Sequence, residues 1–144
     1  MKQEKHIYDM PNMGCMLGVA FQRLYTSLES TLRETLPEIS VPEYLILRVV
    51  YSQEGLQPCD IGERLGKDKG AVSRGVSSLV AKQFLRTETV SHKCLRVYLS
   101  DKGRGIWPAI HEVAQRKQEE LASVLSDKEL TELKRILQKI INLN

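Results

Sequence analysis

Between Leu85 and Leu99 the hydrophobic pattern changes from a period of three or four to a period of two. In LRTETV, Leu85, Thr87 and Thr89 alternate with Arg86, Glu88 and Val90. In LRVYLS, Leu95, Val97 and Leu99 alternate with Arg96 and Tyr98. Two such runs separated by SHKC make a β-hairpin. The segments on either side read as helices, so the chain is mainly α with one small hairpin.

Apolar residues at Met13, Leu17, Ala20, Phe21, Leu24, Leu28 and Leu32 predict a long amphipathic helix over Met13–Leu36, with Asn12 at the N-cap and Pro37 ending it. In SVPEYLILRVVY, Ser40 and Glu43 form a capping box and Pro42 sits in the first turn, where its missing N–H costs nothing. Gly55 is the expected stop of this second helix. A short helix over Pro58–Leu65 follows. After Gly66 comes another from Asp68 to about Lys82, with Val72, Val76, Leu79 and Val80 toward the core. Beyond the hairpin, Ser100 caps a helix running to about Val124, kinked by Gly103, Gly105 and Pro108. Ser126 and Glu129 form another capping box, before a final helix with Leu130, Leu133, Leu137 and Ile140 on one side. The order is four helices, a hairpin and two helices.

A length of 144 residues suits one compact domain. No apolar stretch approaches the roughly 18 residues that span a bilayer. The opening MKQEKHIYDM lacks the apolar core of a signal peptide. The chain therefore reads as cytoplasmic, with no membrane partner. Cys15, Cys59 and Cys94 lie far apart without a CxxC pair, which suggests neither a disulfide framework nor a zinc site. The net charge of +3 is unevenly spread. Residues 1–40 carry four basic and five acidic groups, and 101–144 carry eight and seven. Residues 64–96 carry eight basic groups against Asp68 and Glu88. Such a basic block suits a polyanionic partner, and a merely solvated surface is the alternative.

Enzyme motifs fail on spacing. A phosphate-binding loop needs GxxxxGK[ST] between a strand and a helix, whereas Gly62 and Gly66 are four apart, Lys67 is followed by Asp68, and a helix precedes. His111-Glu112 matches the start of HExxH, but Gln115 stands where the second histidine belongs. His6, His92 and His111 are dispersed, and no nucleophile motif occurs. The expectation is a binder without catalytic residues, cofactor or metal.

Two short helices joined through Gly66 and followed by a basic hairpin constitute a winged helix-turn-helix. On the second of these helices, Gly70, Ser73, Arg74, Ser77 and Ala81 fall away from the Val/Leu stripe. One arginine among small residues suits a DNA major groove, where arginine pairs with guanine O6 and N7. Lys67 and Lys69 stand at the helix N-terminus, within reach of phosphates. His92, Lys93 and Arg96 fall at or beside the hairpin tip, where a wing follows the backbone or enters a minor groove. Close packing of the small face against a neighbouring helix, and a simply solvated turn, are the alternatives. Gly75 borders the core stripe and costs about 1 kcal/mol of helix propensity relative to alanine. It reads as room for a packed helix.

VPEYLILRVVY, DIGERLGKDKGAVSRGVSSLVAKQFL, LRVYLSDKG and LSDKEL resemble the successive landmarks of MarR-type transcriptional regulators over about residues 13–142, most specifically from Ile61 to Gly103. The resemblance implies a single domain over 1–144. Residues 40–100 would form its winged helix-turn-helix, and 12–36 and 101–143 its dimerisation helices. It implies a homodimer on double-stranded DNA with a palindromic operator, acting as a repressor released by a small, often aromatic, anion. The apolar stripes of Met13–Leu36 and the final helix independently call for another surface to bury them. Family wings carry Asp-Arg-Arg where this chain has Ser91-His92-Lys93, and Gly75 stands where a larger apolar residue is usual. Cys15 matches the reactive cysteine of the organic-peroxide-sensing branch, but Val41 replaces that branch's tyrosine. Cysteine-based peroxide sensing through Cys15 is one alternative. A winged helix used only for protein contact is another, and it expects an apolar outward face.

Overall fold

The structure is a computed structural model that describes residues 12–143. The reading of MKQEKHIYDM and the position of His6 lie outside the described residues. The elements are α1 (Met13–Thr35), α2 (Val41–Ser52), α3 (Pro58–Leu65), α4 (Lys69–Ala81), β1 (Leu85–Ser91), β2 (Cys94–Leu99), α5 (Asp101–Gly105), α6 (Trp107–Ala122) and α7 (Asp127–Ile141). Among the described residues no helix is long and apolar enough to cross a membrane.

Helix starts fall where side chains can replace missing backbone partners. Asn12 accepts from the Cys15 N–H at 2.9 Å. Ser40 and Glu43, and Ser126 and Glu129, close reciprocal capping boxes. Two helix ends depart from expectation. Helix α2 stops at Ser52, ahead of Gly55. Gly55 instead takes φ 82°, so that its N–H turns back to donate to the Val97 carbonyl at 2.8 Å. The expected kinked helix after Ser100 is two helices, α5 and α6, separated at Ile106. The cause is packing. A Cβ on Gly103 would come within 2.1 Å of the Phe84 carbonyl oxygen, and the Tyr51 hydroxyl donates to the Gly103 carbonyl. Burial pushes that phenol up to about 12.

The core is centred on α2. Ile46, Leu47 and Val50 meet Ile61 of α3, Val72, Val76 and Leu79 of α4, Phe84, Leu85, Val97 and Leu99 of the hairpin, and Ile110 and Val113 of α6. Each such side chain contributes about 1.5–3 kcal/mol by leaving water. Helix α1 joins α6 through a largely polar seam: Lys117 to Ser27 at 2.6 Å, Ser27 to Glu120 at 2.8 Å and Arg116 to Glu34 at 3.0 Å. The C-terminal part of its apolar stripe joins the core through Leu32, with Leu28 half-buried beside it, whereas the N-terminal part stays uncovered, with Met13 69% and Phe21 64% exposed. Helix α7 has no buried residue.

One buried charge holds α2 to α4. Burial alone would raise the Glu43 carboxyl, but the Ser40 N–H, Lys82 and the Ser40 and Ser78 hydroxyls together hold it below its ordinary value. Lys82 donates to it at 2.9 Å, and Ser78 at 2.9 Å. A depressed carboxyl stabilises the fold above its unfolded value, and that contribution is lost as pH falls through the folded value. Lys82→Met should cost about 1–3 kcal/mol at neutral pH, read by urea unfolding. The cost should shrink from about pH 5 downward as Glu43 protonates. A cost independent of pH would refute the ion pair's role.

Candidate nucleic-acid interface

Helix α3 ends on Gly66, whose φ of 63° lies in the left-handed region. The turn is tight: a Cβ on Gly62 would meet the Lys67 carbonyl oxygen at 2.9 Å. Asp68 then caps α4, accepting from the Ala71 N–H at 2.7 Å. Val72, Val76 and Leu79 are buried, while Lys69, Gly70, Ser73, Arg74 and Ser77 are exposed and Lys67 is half-buried. Val80 departs from expectation: it is 37% exposed. It sits at the margin of the stripe in the last turn, just before Gln83 (φ 69°) turns the chain toward β1.

The two glycines of α4 have different neighbours. A Cβ on Gly75 would lie 2.3 Å from Ile46 Cδ1, so this glycine admits α2. At Gly70 a Cβ would lie 3.2 Å from an Arg74 guanidinium nitrogen and 3.3 Å from Asp68 Oδ1. The Arg74 side chain therefore lies back over the first turn of its own helix.

The hairpin strands are longer than the sequence pattern indicates. Ser91 pairs with Cys94, which leaves His92 and Lys93 as the turn, and the register shifts between Thr89 and Ser91. Both turn residues are exposed. Arg96 is not at the tip. It lies on β2 opposite Glu88, half-buried, and donates to the Gly55 carbonyl at 2.8 Å. An isolated antiparallel bridge between Leu56 and Val97 ties the same loop to the wing.

These contacts sort the basic block into two sets. Arg64 is bound to Gln53, Lys82 to Glu43, Arg86 to Glu88, and Arg96 to Gly55. Arg86 also stacks over Tyr98, 4.7 Å from the ring centroid. Lys67, Lys69, Arg74 and Lys93 make no side-chain hydrogen bond or ion pair with another described residue, and they lie on the α3–α4 turn, α4 and the wing tip. Lys69 and Ser73 face His92 and Lys93 across a cleft of about 410 Å³, whose lining also includes Gln57, Cys59 and Cys94.

Cys15 stands apart, exposed in the first turn of α1. Among the described residues no group of three or more His, Cys, Asp or Glu side chains gathers to hold a metal ion. Sequence reasoning missed the two cysteines in the cleft, since they are distant along the chain. It also missed a cluster between α2 and α6, in which Trp107 packs on Tyr51 with centroids 4.5 Å apart and Arg48 lies 5.8 Å from the Trp107 ring centroid. No local pattern signals either.

Residues 38–93 match the MarR family model. The chain is 34% identical over 89 residues, 60% of its length, to the HTH-type transcriptional regulator TtmR of Methylorubrum extorquens (strain PA1). It spans less than half of that relative, 43%. Among solved structures, BpsR of Bordetella bronchiseptica is similar with a TM-score of 0.82 at 17% identity, covering 93% of this chain and 96% of that one. A MarR transcriptional regulator of Methanosarcina mazei Go1 is similar with a TM-score of 0.76 at 22% identity, covering 94% and 92%. The match over residues 38–93 falls on α2, α3, α4 and the start of the wing, and over nearly its whole length the chain has the winged helix-turn-helix fold of these similar structures.

Proposed function

We propose that this chain is a sequence-specific DNA-binding transcriptional regulator, a cytoplasmic repressor that acts as a homodimer on a palindromic operator and is released by a small ligand. The observation that carries the reading is the sorting of the basic block. The four cations that brace the fold are engaged, and the four left without partners among the described residues lie on α4, the turn before it and the wing tip. The outward face of α4 is small and polar around Arg74, which argues against a purely protein-binding winged helix. MarR-family regulators are non-enzymatic.

Residues 40–100 serve as the DNA-reading lobe of one domain over 1–144, and 12–36 with 101–143 as the dimerisation helices. Arg74 swings off Gly70 to read a base edge. Ser73 and Ser77 keep the helix slim. Lys67, Lys69 and the free N–H groups at the start of α4 hold phosphates. His92 and Lys93 rest on the neighbouring backbone, and Arg96 holds the wing at the angle that brings them there. The uncovered faces of α1 and α7, including Phe21, Leu24, Ile136 and Ile140, suit burial against a second copy. Two copies of α4 then lie about 34 Å apart, one turn of DNA.

Selection of bound sequences from random DNA tests this reading. The expected winner is an inverted repeat, bound by a dimer in sedimentation. An asymmetric single site would overturn the dimeric operator. Lys93→Ala should weaken binding alike on all sequences and reduce the slope of log K against log salt by about one. An unchanged slope would remove Lys93 from the phosphate contacts.

BpsR's DNA binding is regulated by 6-hydroxynicotinic acid, an aromatic acid. In this chain an aromatic anion suits the junction of α2 and α6, where Arg48 offers charge beside the partly exposed Trp107. Such a ligand shifts the population toward a spacing of the α4 helices that misses the operator. Trp107 is the only tryptophan, so 6-hydroxynicotinate, used as probe, should quench its emission in wild type and less in Arg48→Ala. Equal quenching in both would place the ligand elsewhere.

A further inference from the structure

The cleft between the wing and α4 holds a pair of thiols. Gln57 Nε2 donates to Cys94 Sγ at 3.3 Å, and the Cys59 thiol donates to Gln57 Oε1 at 3.7 Å. A single carboxamide thus has a sulfur on each side. The backbone accounts for the meeting. Leu56 and Val97 form an antiparallel bridge, and Cys59 and Cys94 each lie three residues beyond it, on chain segments that face each other. Helix α3 begins at Pro58, so Cys59 leaves the extended path and the Gln57 amide fills the gap. Cys59 is exposed and Cys94 half-buried, and both line the cleft.

We propose that Cys59 and Cys94 form a reversible disulfide whose closure narrows the DNA-facing cleft. The oxidant is a peroxide. The more exposed sulfur, Cys59 Sγ, attacks one peroxide oxygen, so that an S–O bond forms and the O–O bond breaks. The departing oxygen takes up the Cys59 proton and leaves as water, or as an alcohol from an organic peroxide. Cys94 Sγ then attacks the Cys59 sulfenic sulfur. The S–S bond forms, the S–O bond breaks, and the hydroxyl leaves as water with the Cys94 proton. The two thiols lose two electrons and the peroxide gains two.

A disulfide needs its two Cβ atoms about 3.5–4.5 Å apart, which leaves no room for the Gln57 amide. The amide must swing out and the wing must move toward the start of α3. His92 and Lys93 then close over Lys69 and Ser73, where a DNA backbone would pass. This consequence rests on the DNA-binding reading above, whereas the formation of the bond does not.

Two readouts on the full chain separate the claims. After hydrogen peroxide treatment and non-reducing digestion, mass spectrometry should find peptides joined through Cys59 and Cys94 and released by dithiothreitol. The link should persist in Cys15→Ser, vanish in Cys59→Ser and in Cys94→Ser, and form faster in Gln57→Ala. In parallel, oxidised wild type should bind its selected DNA about tenfold more weakly than reduced protein, a loss on the scale of one good contact. Reductant should restore binding, and Cys59→Ser should be insensitive. Absence of the linked peptide in wild type overturns the proposal whatever DNA binding does. A linked peptide with unchanged affinity overturns the closure of the cleft. A reduced chain that selects no DNA overturns the regulator reading, while the peptide map still decides the disulfide.

Discussion

Gly103→Ala should lower the stability of the whole chain by about 3 kcal/mol, the upper end of the usual cost of overpacking. The added methyl would sit 2.1 Å from the Phe84 carbonyl oxygen, with the carbonyl carbon at 3.1 Å. This obstacle is backbone, and it cannot step aside as the end of a side chain can. Phe84 is itself pinned: its N–H donates to the Leu79 carbonyl at 2.9 Å, and its carbonyl accepts from the Ser100 N–H at 3.2 Å. On the other side, the Tyr51 hydroxyl holds the Gly103 carbonyl, and the Ser100 hydroxyl accepts from the Gly103 N–H at 3.0 Å. Any relief therefore prises α5 from the start of the wing. Calorimetry should show a melting temperature lower by roughly 10 °C. Gly105→Ala is the internal control, because nothing lies within 4 Å of its added methyl. It should be neutral or stabilising by up to about 1 kcal/mol. Equal effects of the two substitutions would show that helix propensity, and not the Phe84 contact, governs this turn.

Arg74→Ala should cost about 1–3 kcal/mol of operator affinity and flatten preference at one base pair in each half-site. The loss is measured as about a 5- to 150-fold rise in Kd for the preferred base. Binding to the disfavoured bases should change far less, so the mark of the variant is a lost ratio and not a uniform weakening. Arg74 is exposed and rests over Gly70, so its removal opens no cavity and should leave the melting temperature unchanged. Unchanged base preference would sink its assignment as the base reader. A uniform loss across sequences would move it among the phosphate contacts.

Local features were legible in the sequence because their causes are local. Ser40 with Glu43 and Ser126 with Glu129 closed as capping boxes. Val72, Val76 and Leu79 went inward, and Gly75 admitted Ile46 of α2. The single change of hydrophobic period marked the only hairpin among the described residues. Features set by distant partners were not legible. Arg96 is held by a backbone carbonyl 41 residues away, and a carbonyl leaves no trace in a residue pattern. Gly55 looked like a helix stop but bends the loop back to Val97. The turn of α5 into α6 depends on how closely Gly103 meets Phe84, which no spacing of glycines and prolines reveals. For the same reason the sequence marked the whole basic block as a candidate surface, whereas half of those cations prove to be spent on the fold.

The bridge between Leu56 and Val97 also bears on how the lobe assembles. It joins the loop before α3 to β2, and the Gly55 N–H and the Arg96 guanidinium reinforce the same seam. Contacts between segments this far apart along the chain carry a loop-closure cost that must be met before either side gains from them. The two helices of the turn and the wing therefore form as one cooperative unit, and native-state opening should expose them together and not strand by strand. The lobe therefore has no stable state in which the helices of the turn are in place and the wing is not.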